Sequence, residues 1–263
     1  MKLFYKSLYF HTSTYRLLLL NIFSFFLLTA CKPSQANHDP SSDKPNKSGN
    51  LTTDNKYSTT HTLEKPEEYV PDNFSLFDEI HGDLNKDGKD DCVLIVKSKD
   101  KSQIIFDESN KPIDRNRRGI IVLFNINNHY EVILKNLQCF SSENEDGGVY
   151  YPPELSLTIN NQNLYIHYAH GRYGFWKYTF KFKDSDFNLI GFDYCEQDGP
   201  RIVEETSINF LTHKKLIKTN INEYAVGGDE VFKNSWGTIP SRAFTKLSEI
   251  HNFDVLSMYS FTE

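Results

Sequence analysis

The sequence has no excess of positive charge, no apolar run long enough to span a bilayer, and almost no helical periodicity. Lys and Arg number 29 against 35 Asp and Glu, a formal charge of −6 over 263 residues. Nothing in that balance favours nucleic acid as a partner. The one extended apolar stretch, Leu17 to Ala30, is 14 residues long and is interrupted by Asn21, Ser24 and Thr29. A spanning helix needs about 20 apolar residues, so a multi-span membrane protein is excluded. A hydrophobic share of 38% with 24% charged residues excludes a collagen-like or wholly disordered chain. No phosphate-cradling Walker loop, dinucleotide glycine motif, Gly-x-Ser-x-Gly elbow or His-Glu-x-x-His pair occurs.

What is there begins with an address. Lys2, Lys6 and Arg16 form a positive segment without an acid, and the apolar run after it has the length of a signal-peptide core. It ends in Leu28-Thr29-Ala30-Cys31. This stretch resembles a bacterial lipobox, in which small residues enter the peptidase cleft and the Cys thiol accepts acyl chains such as palmitate. The resemblance implies a signal peptide over 1–30, lipidation at Cys31 and a membrane contact made through the anchor. Each buried CH₂ of an acyl chain contributes about 0.8 kcal/mol, so several chains hold firmly without a spanning helix. Lys stands at position 32 where Asp would favour inner-membrane retention, and the resemblance therefore implies the outer membrane of the bacterial envelope. Loss of residues 1–30 removes three basic and no acidic residues, taking the charge from −6 to −9. An acidic body argues against a lipid-binding surface of its own.

Residues 32–70 are Ser, Thr, Asn, Asp, Lys and Pro with few apolar positions and no period of 2 or 3.6. Such a stretch buries too little surface to offset chain entropy. With Cys31 it reads as an acylated residue plus flexible polar tether over 31–71. A flexible chain of this length spans about 35 Å root-mean-square.

From residue 72 to 263 short apolar and aromatic runs recur, separated by Asn, Asp, Gly and Pro. Val93–Val96 and Gly119–Ile126 are continuous runs, and Asn127-Asn128 turns the second into Tyr130–Leu134. Leu155–Ile159 and Leu164–Tyr168 alternate about Asn160–Asn163. Phe175–Phe182 and Phe187–Phe192 alternate about Asp184–Asp186, and Thr206–Leu211 is followed by Lys215–Lys218. These are hairpin patterns. They predict a mainly β domain of about nine to eleven strands. Its antiparallel hairpins form a sandwich or a partial propeller-like arrangement, with little helix. Thr245–Ile250 fits a helix or a strand equally.

One motif carries chemistry: His81-Gly-Asp-Leu-Asn-Lys-Asp-Gly-Lys-Asp-Asp-Cys92. Asp83, Asn85, Asp87 and Asp91 take positions 1, 3, 5 and 9 of a calcium loop. Gly88 supplies the sharp turn at position 6 and Lys89 a backbone carbonyl at position 7. Position 12 is Leu94 where an EF-hand has Glu, and the flanks read as strand. The stretch Gly82–Asp91 resembles the loop of FG-GAP and VCBS-type repeats, and occurs once. More broadly the chain resembles bacterial lipoproteins carrying a single such loop. The resemblance implies a structural calcium ion between two antiparallel strands.

Weaker signals complete the inventory. Cys92 alternates with Leu94 and Val96 and reads as core. The permitted disulfide in an oxidising compartment is expected first between Cys139 and Cys195. His167, His170, Arg172, Tyr173 and Trp176 form a polar-aromatic cluster that could line a ligand-binding groove. The two histidines are expected on opposite faces of a strand. Two acid-rich loops, Glu143–Asp146 and Gly227–Glu230, read as solvated, as do Arg115, Arg117 and Arg118. The expected function is non-catalytic binding of a protein partner or a glycan by a cell-envelope lipoprotein. A toxin-immunity or inhibitor lipoprotein, and an envelope glycan or peptidoglycan hydrolase, are the alternatives.

Overall fold

The computed structural model describes residues 65–144, 152–256 and Phe261. The expected signal peptide, Cys31 and the expected tether as far as residue 64 lie outside the described residues. Two antiparallel sheets share one apolar core. The first is built from β1 (Phe74–Gly82), β2 (Asp91–Ser98), β5 (Arg118–Ile126) and β6 (His129–Phe140) in the order β1-β2-β5-β6. The hairpin β3 (Ile104–Phe106) and β4 (Pro112–Asp114) is inserted between β2 and β5. The second sheet is a seven-stranded meander. It comprises β7 (Glu154–Asn160), β8 (Asn163–Ala169), β9 (Gly174–Lys183), β10 (Asp186–Asp198), β11 (Arg201–Asn209), β12 (Lys214–Asn220) and β13 (Phe232–Thr238). Of the two expected arrangements the sandwich is the one found.

Turn chemistry sets the hairpins. Asn127-Asn128 adopt φ of 54° and 66°, and Asp184-Ser185 55° and 66°. Asn161-Gln162 likewise sit at positive φ. Paired positive φ values match the right-handed twist of the strands on either side, and Asn and Asp tolerate them.

Alternation then sorts the side chains. Val93, Ile95, Ile120 and Val122 of the first sheet pack with Ile166, Tyr168, Tyr178, Phe180 and Phe192 of the second. The carboxy-terminal segment closes this core. Phe253 stacks on Phe140 at 5.1 Å, Tyr178 donates its hydroxyl to the Leu256 carbonyl at 2.6 Å, and Asn136 Nδ2 donates to the carbonyls of Leu247 and Ile250. Thr245–Ile250 is neither the helix nor the strand the sequence allowed. It carries a short 3₁₀ turn, Leu247–Glu249, with Lys246 bridged to Asn188.

The opposite face of the first sheet holds a smaller cluster of Phe74, Cys92, Leu94, Val96, Ile121 and Leu123. Tyr69 is buried against it from the 3₁₀ turn Pro66–Tyr69, and its hydroxyl donates to the Tyr130 carbonyl. The folded chain therefore begins before residue 72: Tyr69 and Val70, assigned to the tether by composition, cover an apolar sheet face that would otherwise meet water.

The expected Cys139–Cys195 disulfide is absent; Cys92, Cys139 and Cys195 are buried free thiols. Cys139 lies in the core between the sheets, whereas Cys195, one residue on from the core-packed Tyr194, faces the other side of the seven-stranded sheet. That sheet separates the two sulfurs. Arg118 is also misjudged as solvated. It is buried, donates to the Ser141 carbonyl at 2.9 Å and lies 5.0 Å over the Phe77 ring.

Candidate functional site

Gly82 and Asp91 pair at the open end of the β1–β2 ladder, so the motif loop is the connection between two strands, as its resemblance implies. Positive φ at Lys86 (69°) and Gly88 (82°) folds it tightly. Its side-chain oxygens turn inward onto loop N–H groups. Asp83 accepts from Lys86 at 2.6 Å and from Gly88 at 3.1 Å, Asn85 from Asp87 at 2.8 Å, and Asp87 from Lys89 at 2.9 Å. Each carboxylate oxygen retains a second lone pair. Asp91 is fully buried and accepts from the N–H groups of Leu84 and Asn125 at 2.8 and 3.0 Å. Burial, with a smaller push from the Asp87 charge, raises its carboxyl above the ordinary range, although the N–H donors oppose that. This donor set is all oxygen and carries a desolvated carboxylate, which fits a hard cation.

The expected polar-aromatic cluster is divided by the second sheet. His170 has left β8; its ring lies 5.2 Å from Tyr173 and 6.3 Å from Trp176. Trp176 stacks on the core residue Tyr168 at 5.3 Å. Arg172 is exposed on the 3₁₀ turn Gly171–Tyr173. His167 faces the other way, 5.3 Å from Phe175. Burial and then the Lys177 charge lower its pKa. The five residues are not one site.

His167 belongs instead to a row that sequence reasoning did not assemble. Successive register partners run Ser156, His167, Lys177, Asp193, Ser207, Leu216 and Trp236, one from each of β7 to β13. Along it lies a groove of about 330 Å³ lined by Phe175, Lys177, Asp193, Ser207, Leu216 and Lys218, among others. Its charges are matched in place: Lys177 with Asp193 at 3.1 Å and Lys218 with Glu205 at 2.9 Å, while Ser207 donates to Asp193 at 2.7 Å. Trp236 is 69% exposed at the end of the row. The signal in the sequence is weak, because β13 reads Phe-Lys-Asn-Ser-Trp-Gly-Thr without alternation and is held by ladder bonds to β12, with almost no burial.

The described acids of the two acid-rich loops, Glu143, Asp229 and Glu230, are consumed structurally. Asp229 accepts from Val226 and Gly227, Glu230 from Ile202 and Gly228, and Glu143 takes the Lys97 ammonium. Sequence reasoning also passed over Glu79 and His81, which meet Cys92 on one sheet face. No family model, curated protein or solved structure matches the chain.

Proposed function

We propose that the chain is a lipid-anchored protein of the bacterial envelope, acylated at Cys31, whose β sandwich binds a ligand without chemistry through the outward groove of its seven-stranded sheet. The carrying observation is the row from His167 to Trp236 across six strands. It sets aromatic and aliphatic surface beside prearranged polar groups, the combination that recognises an extended polar chain with apolar faces, a peptide or a glycan. The carboxylates Asp193 and Glu205 are tied to lysines. Hydrolysis by a carboxylate pair needs both groups free to act on the scissile bond, and here each is held by an ammonium partner. Binding is therefore favoured over the hydrolase reading. The Asp83–Asp91 loop, in this reading, takes a structural calcium ion that stiffens the β1–β2 end of the sandwich.

A photo-crosslinking residue in place of Ser207, in living cells, tests the groove. A discrete adduct is expected there and none from Asp184 at the distant β9–β10 turn. Equal labelling at both positions, or none at either, overturns the reading. Metabolic labelling with an alkynyl fatty acid, lost in Cys31→Ser, tests the anchor separately.

A further inference from the structure

A bulge in β1 decides what faces the outer side of the first sheet. Leu76 pairs with Val96, but Asp78 pairs with Ile95, so Phe77 is the extra residue. Beyond it the alternation is reversed. Ile80 enters the shared core, and Glu79 and His81 turn to the face of Cys92 and Leu94. His81 is then the direct register partner of Cys92, with Glu79 two residues along the same face. One ligand atom from each, a carboxylate oxygen, an imidazole nitrogen and the thiol sulfur, lies within 4.8 Å of the other two. His81 Nε2 and Glu79 Oε1 already share a hydrogen bond of 2.7 Å.

We propose that Glu79, His81 and Cys92 form a second metal site, selective for a borderline divalent d-block cation of the Zn²⁺ class. The donor chemistry separates it from the neighbouring loop. A thiolate and an imidazole suit zinc and its neighbours, whereas the loop offers only oxygen and suits a hard ion. The geometry needs little change. Metal–ligand lengths of about 2.0–2.3 Å in a tetrahedron place ligand atoms about 3.2–3.6 Å apart. The His81–Glu79 pair must open slightly and the sulfur close in. His81 and Glu79 are 44% and 26% exposed, so both side chains can rotate, while Cys92 is fixed by burial. Three protein ligands leave a fourth position for water or another donor.

Coordination exchanges one bond for another without redox change: the Cys92 S–H bond breaks, its proton passes to solvent, and the sulfur lone pair binds the cation. Without metal the thiol is held neutral, chiefly by burial and secondarily by the Glu79 charge. A second observation lies on the same face. The side-chain oxygen of Asn125 is buried with no hydrogen-bond partner among the described residues, one diagonal position from Cys92 across the β2–β5 ladder. It is an acceptor that a hydrated cation or its bound water would satisfy.

Cobalt(II) reports the site directly, because only a thiolate ligand gives an intense near-ultraviolet charge-transfer band. The full chain, purified in detergent, is titrated with Co²⁺ and then Zn²⁺. One equivalent of Co²⁺ is expected to raise the band together with tetrahedral d–d bands, and Zn²⁺ to abolish both. Cys92→Ala removes the charge-transfer band. His81→Ala, an exposed position that spares the fold, weakens Co²⁺ binding about tenfold or more. Asp87→Ala, in the oxygen loop, leaves the spectrum unchanged, so failure of this site is distinguishable from failure of the calcium loop. A wild type without the band at excess Co²⁺, a band surviving in Cys92→Ala, or unchanged affinity in His81→Ala overturns the proposal.

Discussion

Lys97 and Asp114 meet at 2.9 Å at the base of the β3–β4 hairpin, and the same ammonium is taken by Glu143. Lys97 is buried, so the carboxylates supply the charge that its burial requires. Burial alone would raise the Asp114 carboxyl; hydrogen bonds from Lys97 and Asn116 outweigh it and hold the group below its ordinary value of 3.8. A depressed folded-state pKa contributes stability that is present above the unfolded value and lost as pH falls through the folded one. Stability should therefore decline below about pH 4, and Asp114→Asn should flatten that decline while lowering stability at pH 7. Urea melts at pH 7, 4 and 3 check it. An acid limb of the same steepness in the variant would show that the pair carries none of the dependence.

Gly119 is required by contact. A Cβ there would lie 2.2 Å from the Leu137 backbone carbon, where β6 bulges over β5. Gly119→Ala must push the edge strand β6 off the buried β5, so a loss of about 3 kcal/mol or failure to fold is expected. Gly88→Ala meets nothing within 4 Å but must hold φ near 82°, and should cost only about 1–2 kcal/mol. Denaturant midpoints of the two variants test the ordering. Equal effects would mean that the β5–β6 bulge yields readily.

The comparison between sequence and fold follows from where the information is local. Asn127-Asn128 and Asp184-Ser185 were legible as turns because positive φ is a property of those residues in their own positions. The loop from Asp83 to Asp91 was legible because its spacing is the geometry. The Phe77 bulge was not: it depends on how β1 meets β2, and it alone carries Glu79 and His81 to the face of Cys92. Nor was the row from His167 to Trp236, which exists only once six strands are in register. Cysteine count suggested a disulfide that the faces of β6 and β10 keep apart.

Calcium should stabilise through the Asp83–Asp91 loop. With a dissociation constant of about 10⁻⁴–10⁻³ M, about 2 mM Ca²⁺ contributes about 0.7–1.8 kcal/mol by linkage. That raises Tm by about 1–7 °C. Asp87→Ala should abolish the rise. Scanning calorimetry of the chain in EDTA and then in Ca²⁺ decides; no rise even at tenfold higher Ca²⁺ would reduce the motif to an acidic turn.

The three buried cysteines should be silent in the folded state. Burial pushes the Cys139 thiol up to about 12 and raises Cys195 as well, with the Glu205 charge adding to it. At pH 8 thiolate is scarce and the sulfurs are covered. Native protein should leave all three unlabelled by an aromatic disulfide reagent, and guanidinium without reductant should release three equivalents. Only one equivalent on unfolding would mean that two of the three sulfurs are joined in a disulfide.

Groove recognition and groove catalysis give opposite results for two substitutions. Trp236 is exposed on an edge strand, so Trp236→Ala should change stability by less than about 0.5 kcal/mol. It removes the flat aromatic surface at the end of the row, and aromatic anchors dominate binding energy out of proportion to their number. The Ser207 crosslinked adduct should fall about tenfold or more in that background. Asp193→Asn leaves the groove its shape, at the expense of the Lys177 ion pair. Exposed pairs of this kind contribute little, so the adduct should persist. A hydrolase would behave in the reverse way: the neutralised carboxylate would stop turnover and trap substrate, and the adduct would grow. An adduct unchanged by Trp236→Ala but increased by Asp193→Asn would therefore replace binding with catalysis as the work of this face.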